Sequence, residues 1–136
     1  MKKDIITRKD IELLVTNFYG KIKKDILIGP VFTDIARVNW EKHLPLMCDF
    51  WENVLFYSGN YQGNPMDLHK HLHKVMPLQL KHFQQWNYLF VSTVDELFSG
   101  EKALLAKQRA LKISSILQAE ILDTKSSHIL PFSCKE

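Results

Sequence analysis

Residues 68–74 read LHKHLHK and place His69, His71 and His73 at alternate positions, three of the six histidines in 136 residues. Neutral imidazole is the commonest side-chain metal ligand, so the run raises metal chemistry first. Helical geometry divides it. His69 and His73 lie one turn apart and share a face, whereas His71 sits about 200° round from His69. A zinc site needs three or four ligands, yet no cysteine and no HExxH arrangement lies nearby. A single axial imidazole makes a different demand: one histidine and a wide apolar pocket facing it. Solvent-facing histidines on a short polar helix are the third reading.

The elements that must position these residues are helical nearly throughout. Ile11, Leu14, Val15, Phe18 and Ile22 recur at three- and four-residue steps with Tyr19 beside them. Thr7 stands before that pattern as an N-cap, with Asp10 three residues later. Gly29-Pro30 breaks the chain, and Val31-Phe32 opens a short turn or helix. A second segment spans about 39–57 with a stripe of His43, Met47, Phe50, Trp51 and Val54. Pro45 interrupts it, and a proline is tolerated only in a first turn, which predicts a regular helix starting near His43 rather than at Trp40. SGNYQGNP, residues 58–65, has the composition of a loop. A short helix over about 65–74 then carries the histidines, with Pro65 in its first turn. A third long segment covers about 78–99, with Phe83, Trp86, Leu89, Phe90 and Leu97 apolar. Gly100 punctuates it, and a fourth runs over about 101–123 with no Gly or Pro. The chain reads as one all-α domain over residues 1–123 followed by a flexible tail, 124–136.

Composition narrows the function classes. Apolar residues are 46% and charged residues 24%, an ordinary globular balance. The net charge of +3 is scattered, which argues against nucleic acid as a partner. Cys48 and Cys134 form no CxxC, and the start MKKDIITRKD lacks a signal-peptide core, so a reducing cytoplasm is expected. No run of about 18 apolar residues is present to span a membrane.

The aromatic content could supply the pocket that the one-imidazole chemistry, that of a haem, requires, although such stripes are more often plain core. Phe18, Tyr19, Phe32, Phe50, Trp51, Phe83, Trp86 and Phe90 fall on the buried stripes of three helices. Tyr19 and His43 place a hydroxyl and an imidazole on otherwise apolar stripes, where each needs a hydrogen-bond partner. A bound ligand is one such partner, and a core neighbour is another. Two further classes stay open: a non-haem helical interaction module with an aromatic groove, and a small zinc-binding helical protein.

Four fragments in order resemble the truncated haemoglobins of group III: NFYGKIKKDILIGPVF (17–32), WEKHLPLMCDFW (40–51), YQGNPMDLHKHL (61–72) and HFQQWNYLF (82–90). The resemblance implies a shortened globin fold, a two-over-two helical sandwich around haem b and its iron. It implies distal ligand-binding roles for Tyr19, His43 and Trp86, and a phenylalanine at Phe32 wedged against the haem. Trp51 and Met47 would shape the apolar entry, with Phe18, Phe50 and Phe83 as further cofactor contacts. The family pattern places the proximal ligand four residues after a proline and three before a leucine, which selects His69 through Pro65 and Leu72. A rival count back from HFxxW through Pro77 selects His73. Small gaseous ligands (O2, NO, CO) or sulfide are then expected at an open iron position, for scavenging, NO detoxification or redox chemistry rather than bulk O2 transport. NO dioxygenase or peroxidase-like turnover would need a separate reductase, since the chain has no flavin or nicotinamide domain.

Overall fold

A computed structural model describes residues 2–32, 39–57 and 78–126, with side chains placed as far as residue 119. The short histidine-bearing helix expected over about 65–74 and most of the expected tail lie outside the described residues. Among the described residues there are four helices and no strand: α1 (Arg8–Lys24), α2 (Trp40–Phe56), α3 (Leu80–Leu97) and α4 (Glu101–Ser126). α1 packs on α2, α3 packs on α4, and the two pairs meet through α1 against α3 and α2 against α4. This is the expected two-over-two sandwich.

α1 starts where its cap predicts. The Thr7 hydroxyl accepts from the Asp10 amide at 3.3 Å, and the Asp10 carboxylate accepts from the Thr7 and Ile6 amides at 3.0 and 2.8 Å. Two otherwise orphaned amides at the helix start are thereby satisfied. Ile11, Leu14, Val15, Phe18 and Ile22 are all buried, so the periodic stripe is the face that enters the core. The helix ends at Asp25, whose carboxylate accepts from the Leu27 and Ile28 amides at 2.9 Å each and from the Gln85 amide group at 2.6 Å. The chain then folds back tightly: a Cβ on Gly29 would stand 2.9 Å from the carbonyl oxygens of Ile22 and Lys23. Only glycine fits so close to the helix end, and the turn delivers Val31 and Phe32 to the core.

α2 departs from expectation in two ways. It begins at Trp40, capped by Asn39, and Pro45 lies inside it. Proline removes the amide that would bond the Glu41 carbonyl, but the first turn is closed independently by the Asn39 cap. The buried positions of α2 are His43, Cys48, Trp51 and Leu55, while Met47, Phe50 and Val54 are only partly buried. The core stripe thus lies slightly to one side of the predicted one. Burial pushes the Cys48 thiol up to about 11, so it stays protonated and inert.

α3 and α4 are joined by a reversal at Gly100, which has φ 142°. The N-terminal arm pins this reversal. The Asp4 carboxylate accepts from the Lys102 and Ala103 amides at 2.9 and 2.8 Å, and the Ser99 amide donates to the Lys3 carbonyl at 2.9 Å. Asp4 therefore caps α4 from the far end of the chain. Ala103, Ala106 and Ala110 line the buried face of α4, where small side chains permit close approach. The helix runs to Ser126, beyond the predicted end at Asp123.

Candidate functional site

The aromatic residues form one connected network rather than isolated core fillers. Phe18 on α1 meets Tyr19, Trp86 and Phe90 edge-on, with ring centroids at 4.8, 5.4 and 5.1 Å. Phe90 lies between two indoles, stacked on Trp51 at 4.9 Å and on Trp86 at 5.7 Å. Phe50 continues the chain at 5.2 Å from Trp51. Such pairs each contribute about 0.5–1.5 kcal/mol beyond the apolar area they bury, so the network fixes the indole planes.

At one end of the network sit the polar rings. Tyr19 and His43 are both buried, and their rings meet edge-on at 5.1 Å. Trp40 completes a triangle, 5.4 Å from Tyr19 and 5.6 Å from His43. The Tyr19 ring thus bridges α1 and the first turn of α2. Despite Pro45, the start of α2 keeps His43 turned inward.

Beside this cluster lies a cavity of about 460 Å3, open space toward the surface included, lined by Phe32, Leu78, His82, Phe83, Trp86 and Leu117 among others. Phe32 and Trp86 join the cavity to the ring network. Phe32 is 6.3 Å from Trp40, and Trp86 touches Phe18. Apolar and aromatic walls drawn from α3, α4 and the Gly29 turn suit a flat hydrophobic group. Leu78, one of the walls, anchors the chain just before α3.

His82 shows how the anchor is held. Its Nδ1 accepts from the Gln79 amide at 2.9 Å, while its own amide donates to the Gln79 carbonyl at 2.9 Å. Burial, with Lys81 adding to it, lowers the imidazole below its ordinary range and keeps the ring neutral, as the acceptor role requires.

The structure brings together Phe18, Tyr19, His43, Phe50, Trp51 and Trp86 in one ring network, and Phe32, Phe83 and Trp86 on one cavity. Met47 packs against the core at its margin. His69 and His73 lie outside the described residues. Sequence reasoning missed Trp40 and His82 as site residues. Trp40 is the i−3 neighbour of His43, and that spacing was the available signal. His82 stands three residues after Gln79, the spacing of a reciprocal cap, but an imidazole is an uncommon acceptor there.

Among the described residues no group of three His, Cys, Asp or Glu side chains could hold a metal ion, and no helix is long and apolar enough to cross a membrane. No protein-family model matches the chain. A group 3 truncated hemoglobin of Campylobacter jejuni is 31% identical to it over 121 residues, covering 87% of this chain and 93% of that protein. The crystal structure of a group III truncated hemoglobin from Campylobacter jejuni matches it with a TM-score of 0.77 at 29% identity, over 89% of this chain and 95% of that one. Sequence and fold therefore agree with the ring network and its cavity, and the chain belongs to the group III truncated haemoglobins, a family of globin-type haem proteins.

Proposed function

We propose that the protein binds a small ligand, O2 or a similar molecule such as NO, CO or sulfide, on haem b held by one histidine of the LHKHLHK stretch. The observation that carries this reading is the single ring network that joins buried Tyr19 and His43 to Trp86 through Phe18, with Trp86 and Phe32 also lining the cavity. Haem supplies an iron with one open coordination position. The chain supplies the rest. His69 is the proximal ligand, with His73 the rival one turn away. Phe32, Phe83 and Trp86 give the ring its apolar contacts, and Phe18, Met47, Phe50 and Trp51 back them.

The Tyr19 hydroxyl and the Trp86 indole N–H would be the donors toward such a ligand, and His43 a further one. Each hydrogen bond contributes about 0.5–1.5 kcal/mol, so two together slow release by roughly tenfold or more. Such retention suits scavenging, NO detoxification or redox chemistry better than delivery of O2. Turnover draws electrons from a separate reductase. Stopped-flow or flash-photolysis measurement of O2 and sulfide release tests the network: Tyr19→Phe and Trp86→Phe should each speed release about three- to tenfold. Unchanged rates in both variants would remove these donors from the mechanism.

A further inference from the structure

Two side-chain pairs face each other across the α1–α2 contact. Tyr19 and Lys23 stand one turn apart on α1. Trp40 and His43 stand three residues apart on the first turn of α2, so each pair shares a face of its helix. Tyr19 packs on both Trp40 and His43, Trp40 packs edge-on to His43, and the Lys23 ammonium lies 4.7 Å over the Trp40 ring. Trp40 is half-buried and Lys23 exposed, so this pair forms the outer side of the cluster and His43 the inner side.

The backbone does less than usual to hold this turn. Pro45 has no amide to offer the Glu41 carbonyl, so the turn bearing Trp40 and His43 is tied to the rest of α2 by one hydrogen bond fewer than an ordinary helix would provide. Helix ends also open more readily than helix middles. His43 is buried all the same. Side-chain contacts must supply the hold that the helix ladder lacks.

We infer that Trp40 and Lys23 form a latch that keeps His43 inside the distal site, Trp40 as a positioning residue packed on the imidazole and Lys23 as a cation closing over the indole. This rests on the distal role of His43 proposed above. It adds that the closed position of the imidazole is set from outside the pocket, by a ring and a charge that need not touch the ligand. With the latch released, the first turn of α2 swings about Pro45, His43 leaves the cluster and the way in from solvent widens.

The test reads His43 directly. Acylation of individual histidines by diethyl pyrocarbonate, resolved by peptide mass spectrometry, is followed in the wild type, Trp40→Ala, Trp40→Phe, Lys23→Met and, as a control on the same helix, Lys24→Met. Losing the Trp40 ring and its contacts with Tyr19 and His43 should speed acylation of His43 about tenfold, and losing the cation about twofold. Trp40→Phe, which keeps a ring, should fall between the wild type and Trp40→Ala, and Lys24→Met should match the wild type. In the haem-loaded protein the CO association rate should rise in the same order.

The latch is overturned if His43 reacts as slowly in Trp40→Ala and Lys23→Met as in the wild type. It is equally overturned if buried His82 accelerates in parallel, since that reports general loosening. If Trp40→Ala does not fold, Trp40→Phe and Lys23→Met decide the question. A protein that takes up no haem defeats the proposed function, while the acylation rates still judge the latch. A haem-loaded protein with unchanged His43 reactivity defeats the latch alone.

Discussion

Phe90→Ala should remove a large share of the fold's stability. Phe90 is fully buried and touches three rings at once: Phe18 edge-on at 5.1 Å, Trp51 stacked at 4.9 Å and Trp86 stacked at 5.7 Å. A buried Phe→Ala change costs about 3–5 kcal/mol through lost burial and the cavity left behind. The three ring contacts, about 0.5–1.5 kcal/mol each, place Phe90 toward the upper part of that range rather than adding to it in full. Domains have only about 5–15 kcal/mol in total, so the variant stands near the threshold of folding. With a urea slope of about 2 kcal/mol/M, a loss of about 4 kcal/mol lowers the unfolding midpoint by about 2 M. The assay is urea unfolding followed by tryptophan fluorescence, which reports on the two indoles that Phe90 separates, with haem content held equal between variants. Phe50→Ala is the comparison, because Phe50 is only partly buried and packs on Trp51 at the margin of the network. A midpoint shift under about 0.5 M for Phe90→Ala, or one no larger than for Phe50→Ala, would refute the reasoning.

Further outcomes follow from the polar contacts. Burial pushes the Asp10 carboxyl up, but the Lys3 ammonium and the Ile6 and Thr7 amides outweigh it and hold the group at about 2. The folded protein therefore binds fewer protons than the unfolded chain between the ordinary value of 3.8 and about 2, and stability falls as pH drops through that window. Exposed Lys3 is screened by solvent, so the loss is on the order of 1 kcal/mol, and Asp10→Asn should flatten this part of a pH–denaturation profile. Neutral His82 acts in the same direction at higher pH: stability falls as pH drops below 6.5, and the slope should vanish in His82→Asn, which can still accept from the Gln79 amide. Asp4→Ala uncaps α4 and should cost about 1 kcal/mol, a drop of about 3–5 °C in Tm by calorimetry. Gly100→Ala should lower Tm further, since φ 142° is strained for any side chain and the added carbon collides with Asp4.

Much of this architecture could be read from the chain, and the exceptions share a cause. The α1 stripe and its Thr7–Asp10 cap were legible because periodicity and capping are local. α2 was harder. Pro45 argued for a late start, yet the packing of Trp40 on Tyr19 of α1 holds the turn before it in place, and no local rule reports that contact. The same packing shifts the buried stripe toward Cys48 and Leu55. Tyr19 and His43 stood out as polar groups on apolar stripes and Trp86 through the family resemblance, but the sequence could not say that Phe18 intervenes between Tyr19 and Trp86. Trp40 carries no chemistry in isolation. It matters through Tyr19 and Lys23 on another helix, and a single sequence does not display pairings of that kind. Asp4 is the extreme case, a helix cap placed 98 residues before the amide it serves.

The central claim is that this helical sandwich holds haem through one histidine of LHKHLHK, facing the cavity bounded by Phe32, Phe83 and Trp86. The absorbance spectrum of the haem-reconstituted protein, taken in the ferrous form before and after CO, tests it most directly. The account predicts an intense Soret band that shifts on CO binding, and loss of the five-coordinate ferrous signature in His69→Ala with its retention in His73→Ala. Loss in His73→Ala instead would move the ligand one turn along. A wild-type protein with no Soret band after reconstitution would contradict the account.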